Sequence, residues 1–187
     1  TKGDGLVGDA TPFYVFHPRC VARIAAYNPA MRWIVLLRDP VERARSHHHM
    51  ERQRGHERLP LWLAVLLERW RLRGHADDFA RGSNLRRFSY RARGDYARQL
   101  DVLYVHFPRE QVLVLRSERL RNDPDACVRE ACRFLGVPPP AAGTAHEPVF
   151  VGGYPPASAD ALDSRFLRWL MRRELQAMRE RYGIAFD

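Results

Sequence analysis

Arg38 and Ser46 are the residues of this 187-residue chain whose type and spacing best suit chemistry on a phosphate. Arg38 follows a nearly continuous apolar run, Met31 to Leu37, and the residues after it set up a helix, with Asp39 as N-cap, Pro40 at the first helical position and Glu42 at the third. Capping explains Asp39, Pro40 and Glu42 completely. It does not explain a guanidinium at the strand tip with a hydroxyl two turns into the helix, on the face that carries Glu42. A guanidinium, a hydroxyl and the partial positive charge of a helix N-terminus together suit a phosphate monoester. A solvated arginine beside an incidental serine is the plain alternative.

The other chemistry-bearing residues point less sharply. His47, His48 and His49 are consecutive on one helix, so at about 100° per residue their side chains fan out and do not converge on a metal. A solvated or acceptor-facing role is expected for them. Cys127 and Cys132 are five residues apart on one predicted helix, a spacing that suits small buried hydrophobes rather than chelation. The arginines between Arg81 and Arg93, interleaved with Phe88 and Tyr90, suit either a polyanionic sugar or nucleic acid, with a solvated loop as the plain alternative.

The elements that position these residues follow from periodicity. Met31–Leu37 reads as a central strand buried on both faces of a parallel sheet, and Gln111–Leu115 as a second one. Helices are expected from Pro40 toward Gly55, over Leu59–Leu72, from Tyr96 to a stop at Pro108, over Asp125–Leu135 with Gly136 behind it, and over Ser158–Tyr182. Gly74–Gly94 is polar, Arg-laden and aperiodic, and reads as a mobile loop on the acceptor side of the cleft; Val137–Pro156 is a proline-rich connector. This order predicts one α/β domain over residues 1–187, a parallel sheet flanked by helices, with ligands bound beyond the carboxyl ends of the strands.

Composition bounds the function. No apolar run approaches the roughly 18 residues a membrane span needs, and 45% hydrophobic with 28% charged residues is ordinary for a globular chain. The net charge of +9 favours an anionic partner, although a chain whose only lysine is Lys2 also carries the mark of GC-rich coding sequence. Three cysteines without disulfide-like spacing fit a reducing compartment and a cytoplasmic location. The chain opens on Thr1 and a Gly-rich stretch, which reads as an N-terminal truncation.

Arg38-Asp39-Pro40-Val41-Glu42-Arg43-Ala44-Arg45-Ser46 after an apolar strand resembles the 3′-phosphate motif Arg-x-Pro-x-x-Arg-x-x-Ser of sulfotransferases that use 3′-phosphoadenosine 5′-phosphosulfate (PAPS). Gly8-Asp9-Ala10-Thr11-Pro12-Phe13-Tyr14 upstream is similar to another segment of that family. So, downstream, are Gly94-Asp95-Tyr96, Phe107-Pro108-Arg109-Glu110-Gln111-Val112, Glu118-Arg119-Leu120 and Phe134-Leu135-Gly136, in the family's order. The resembling branch holds the heparan sulfate sulfotransferases and many bacterial homologues.

The resemblance implies a P-loop-kinase-like sulfotransferase fold and a PAPS-dependent enzyme that needs no metal. It would transfer a sulfuryl group to a hydroxyl or amine of an acceptor, with an anionic saccharide among the candidates. It assigns Arg38 and Ser46 to the 3′-phosphate, Gly153 and Tyr154 to the nucleotide through a closing loop, and Asp9 as the acidic candidate for catalysis, although Asp9 also reads as a turn residue before Thr11-Pro12. Two departures stand out. Val151 and Gly152 replace expected cations, and the family's 5′-phosphosulfate loop and its glutamate base have no counterpart in this sequence. An inactive remnant that binds 3′,5′-ADP and a basic nucleic-acid-binding module are therefore the competing readings, and the 187 residues alone are expected to transfer no sulfate.

Overall fold

The computed structural model describes residues 6–141 and 162–186. Two short helices come first, α1 (Phe13–Phe16) and α2 (Pro18–Tyr27), and lead into strand β1 (Trp33–Leu37). Helix α3 (Pro40–Gln53) leaves the strand tip, followed by α4 (Leu61–Arg71), α5 (Asn84–Phe88), a 3-10 turn at Ala92–Gly94 and α6 (Tyr96–His106). Strand β2 (Val112–Arg116), α7 (Ser117–Asn122) and α8 (Pro124–Leu135) come next, and α9 (Leu162–Leu170) and α10 (Arg172–Tyr182) close the described chain.

The expected parallel pairing is present. Trp33 stands opposite Val112 and Leu37 opposite Arg116, so both strands point their carboxyl ends at the same edge. The strands are β-branched and leucine-rich, and their parallel direction needs the long crossover that α3 to α6 provide. One face of β1 is closed: Trp33, Val35 and Leu37 pack with Val21 of α2, with Leu100, Leu103 and Phe107, and with Met178 of α10.

The other face corrects the expectation of a strand buried on both sides. Ile34 and Leu36 are 42% and 49% exposed, because the helices α2, α6 and α10 all lie on the opposite face of the strand. An unbroken apolar run therefore did not distinguish one covered face from two.

Two further expectations are corrected. Gly74–Gly94 is not a structureless loop, since Ser83 caps α5 by accepting from the Arg86 amide at 3.3 Å. Leu85 is buried against Phe13 and Phe16, and Tyr90 is fully buried against Val41, Ala44 and Leu61. Too few apolar residues in a window this short produce a helical period, yet Leu85 and Tyr90 anchor it. The single last helix is two helices, broken at Met171, whose side chain is fully buried beside Val41 and Leu167. The break lets α9 pack on α3 and α4 while α10 packs on α6.

Candidate active site

The carboxyl end of β1 is organised around Asp39. Its Oδ1 accepts from the Val41 amide at 2.8 Å and the Glu42 amide at 3.0 Å, the capping the sequence predicted. Its Oδ2 accepts from Arg168 Nη2 of α9 at 3.0 Å, and its own amide donates to Glu118 Oε1 of α7 at 3.2 Å. One residue thus ties the strand tip to three helices. Glu118 is held below the usual carboxylate range by hydrogen bonds to its own amide, that of Asp39 and Ser117, which outweigh its burial, so it stays an acceptor at neutral pH.

Arg38 leaves this tip half-buried, and its Nη2 lies 3.7 Å from Glu42 Oε2. Glu42 also faces Arg45 Nε at 3.8 Å, and Arg45 Nη1 donates to the buried Ser164 hydroxyl at 3.2 Å. Ser46 sits half-buried on α3 one turn beyond Glu42, while Arg38 precedes the helix and meets its first turn at Glu42. The Arg38 carbonyl is fixed separately, by the Tyr96 hydroxyl at 3.0 Å. This arrangement can present a guanidinium and a hydroxyl to an anion that competes with Glu42 for Arg38.

Further along α3 lies a cavity of about 190 Å³, walled by Arg54, Arg81, Arg86, Arg87, Arg93 and His47, with the Thr11–Phe13 segment on its rim. The one acidic wall residue, Glu51, is engaged by Arg54 at 3.3 Å and by His56 at 2.9 Å. Arg86 and Arg93 lean on aromatic rings instead, 4.7 and 5.4 Å from the centre of Phe13. Burial, then the charges of Arg43 and Arg86, push Arg93 down to about 10. The field in this cavity is strongly positive.

The histidines correct the expectation of solvation. His47 and His48 are buried, and their Nε2 atoms face the carbonyls of Arg86 at 3.1 Å and Leu59 at 2.9 Å. Burial, with Arg43 and Arg93 nearby, pushes His47 down to about 2, so it is neutral. No cluster of three or more metal-ligating side chains occurs among the described residues. Cys127 is buried, as its spacing predicted, whereas Cys132 is only half-buried, which corrects the expectation for the second cysteine.

Asp9 is exposed. Its Oδ1 accepts from the Ala10 amide at 2.8 Å and its Oδ2 from the Tyr14 hydroxyl, which Asp9 raises above its ordinary value. Gly153 and Tyr154 lie outside the described residues. Sequence reasoning missed Arg168 and Glu118 as partners of Asp39, and no local signal announces them, since both act across the fold. The motif's middle arginine, Arg43, turns inward and donates to the Tyr90 carbonyl.

Residues 17–147 match the sulfotransferase domain family. The chain belongs to the sulfotransferase family. It is 30% identical over 129 residues to heparan sulfate glucosamine 3-O-sulfotransferase 3B1 of Mus musculus, covering 69% of this chain and 30% of that protein. It is 44% identical over 48 residues to the membrane-associated sulfotransferase kil1 of Dictyostelium discoideum, 26% of this chain and 10% of that one. Among solved structures it superposes on a sulfotransferase from Alicyclobacillus acidocaldarius with a TM-score of 0.73 and 26% identity, over 98% of this chain and 69% of that one. The α/β sulfotransferase fold is thereby shown, in a chain that spans less than a third of the curated relatives it matches. No described helix is long and apolar enough to cross a membrane.

Proposed function

We propose that this sulfotransferase moves a sulfuryl group from PAPS to a hydroxyl or amine of a saccharide acceptor, leaving 3′,5′-ADP. The observation that carries the reading is the β1 tip, where Arg38 meets Glu42 at 3.7 Å beside the Asp39-capped start of α3, the helix that carries Ser46 one turn further on, in a member of this family. A 3′-phosphate there gains a charge-assisted pair with Arg38 and a hydroxyl bond from Ser46. The likeness to the family adds Gly153 and Tyr154 as further nucleotide contacts. The saccharide acceptor rests on the likeness to a heparan sulfate glucosamine 3-O-sulfotransferase.

In the transfer, the bond from sulfur to the bridging phosphate oxygen breaks as the acceptor oxygen or nitrogen bonds to sulfur, and the acceptor loses a proton. Asp9 is the acidic group we assign to receive that proton. Its carboxylate is already held by the Ala10 amide and the Tyr14 hydroxyl, which fixes its direction. Three free cysteines fit a reducing, cytoplasmic setting for the reaction.

The test is transfer of labelled sulfate from PAPS to a panel of sugars, run with these 187 residues, for which no transfer is expected, and with any longer product of the same gene, for which it is. Label on a sugar, reduced at least 10²-fold by Asp9→Asn, is expected for a proton acceptor. Transfer to phenols but not to sugars would overturn the saccharide assignment, and an Asp9→Asn variant as active as the parent would remove Asp9 from the chemistry.

A further inference from the structure

We propose that the arginine-walled cavity beside α3 is an anion site that seats an acidic group, sulfate or carboxylate, carried by a hydroxylated acceptor. This deepens the saccharide reading and rests on it for the word acceptor. Four of the cavity's arginines, Arg81, Arg86, Arg87 and Arg93, form no ion pair with any described carboxylate. Arg93 Nε donates to the Ser89 hydroxyl at 2.9 Å and Arg86 Nε to the Phe79 carbonyl at 3.1 Å, so neutral oxygens hold these side chains in place without neutralising them. Gathering cations around a partly enclosed space is costly unless an anion completes it, and arginine forks suit a planar carboxylate or a tetrahedral sulfate.

A second observation points to a hydroxyl on the same ligand. His47 lines the cavity, is only 7% exposed, and its Nε2 faces the Arg86 carbonyl, which requires that nitrogen to carry the hydrogen. Nδ1 then holds a lone pair, and it is buried with no hydrogen-bond partner in the described structure. A neutral acceptor atom among guanidinium donors matches a ligand that has both an acidic group and a hydroxyl, as a sugar sulfate or a uronate does. At about 190 Å³ the cavity admits one such group rather than a whole sugar chain.

Calorimetric titration with glucose 6-sulfate, glucuronate, inorganic sulfate and glucose tests the site, each with and without saturating 3′,5′-ADP. The two anionic sugars are expected to bind and glucose is not, and 3′,5′-ADP is not expected to displace them. Arg87→Gln and the exposed Arg81→Gln should each weaken glucose 6-sulfate by about tenfold. Because Arg93 is half-buried and its loss can unfold the segment, these two outer variants carry the test. Glucose binding as well as its sulfate, or arginine variants that bind like the parent, would overturn the site. So would displacement by 3′,5′-ADP together with loss of binding in Arg38→Gln, which would mean that the anion had entered the donor site. Binding of the anionic sugars without any binding of 3′,5′-ADP would uphold the cavity and remove the PAPS reading.

Discussion

The Tyr96 hydroxyl donates to the Arg38 carbonyl at 3.0 Å, across 58 residues of sequence. Tyr96 opens α6, and its ring is buried against the same core that covers β1. The backbone that launches Arg38 is therefore held from the core side, while its guanidinium faces Glu42 of α3. Tyr96→Phe should lose about 1 kcal/mol of stability, the usual loss when a buried carbonyl gives up its partner. Urea unfolding checks this, and 3′,5′-ADP affinity should fall only slightly because the arginine itself remains.

Asp39 should matter more. Asp39→Ala removes a cap that satisfies two amides and the ion pair with Arg168 at 3.0 Å. The cap alone is worth about 1 kcal/mol, and losing the ion pair with Arg168 adds to it, so a total loss of about 2 kcal/mol is expected by urea unfolding. Asp39→Asn keeps the capping oxygen and should recover roughly half.

Gly94 lies where the 3-10 turn touches the start of α3. A Cβ there would stand 2.6 Å from Met171 Cε and 3.1 Å from Pro40 Cβ. The methionine tip can move, but the proline ring is fixed by the helix it begins. Gly94→Ala should cost about 1–3 kcal/mol by overpacking. A thermal melt indistinguishable from the parent's would show that the turn and α3 separate more readily than this packing allows.

Glu68 gives the protein a pH dependence with a definite sign. Burial raises it from 4.5 to about 7, only partly offset by the amides of Arg91 at 2.6 Å and Ala92 at 2.8 Å that it accepts from. The folded state therefore holds this proton more tightly than the unfolded chain does. Its contribution is fully present below about pH 4.5 and is lost as pH rises to about 7, by something on the order of 3 kcal/mol. His47 works the other way, since its depressed value costs stability as pH falls below 6.5. The difference between the wild type and Glu68→Gln isolates the carboxyl. That difference should shift in favour of Glu68→Gln between pH 5 and pH 8, and a flat difference would mean that Glu68 titrates normally.

How far the sequence went is clearest at α3. Asp39, Pro40 and Glu42 are local signals, and the structure places the cap and helix start where they predict. The parallel strands were legible from their apolar runs, and Cys127 from its helical face. Burial of His47 and His48 was not, because what buries them is Tyr90, arriving from a segment without helical period. Nor was the grouping of Arg54 with Arg81, Arg86, Arg87 and Arg93 around one cavity, since that depends on α5 folding back onto α3. Local chemistry fixes caps and strands, whereas the joining of distant charges is decided by packing that a linear pattern does not carry.

The central claim is that the β1 tip reads a 3′-phosphate through Arg38. Calorimetric titration with 3′,5′-ADP and with 5′-AMP, on the parent and on Arg38→Ala, tests it most directly. The account predicts that 3′,5′-ADP binds at least tenfold more tightly than 5′-AMP, and that Arg38→Ala removes most of this advantage, about 1.5–3 kcal/mol, while barely changing 5′-AMP. Equal affinity for the two nucleotides, or an Arg38→Ala variant that still prefers 3′,5′-ADP as strongly as the parent, would contradict it.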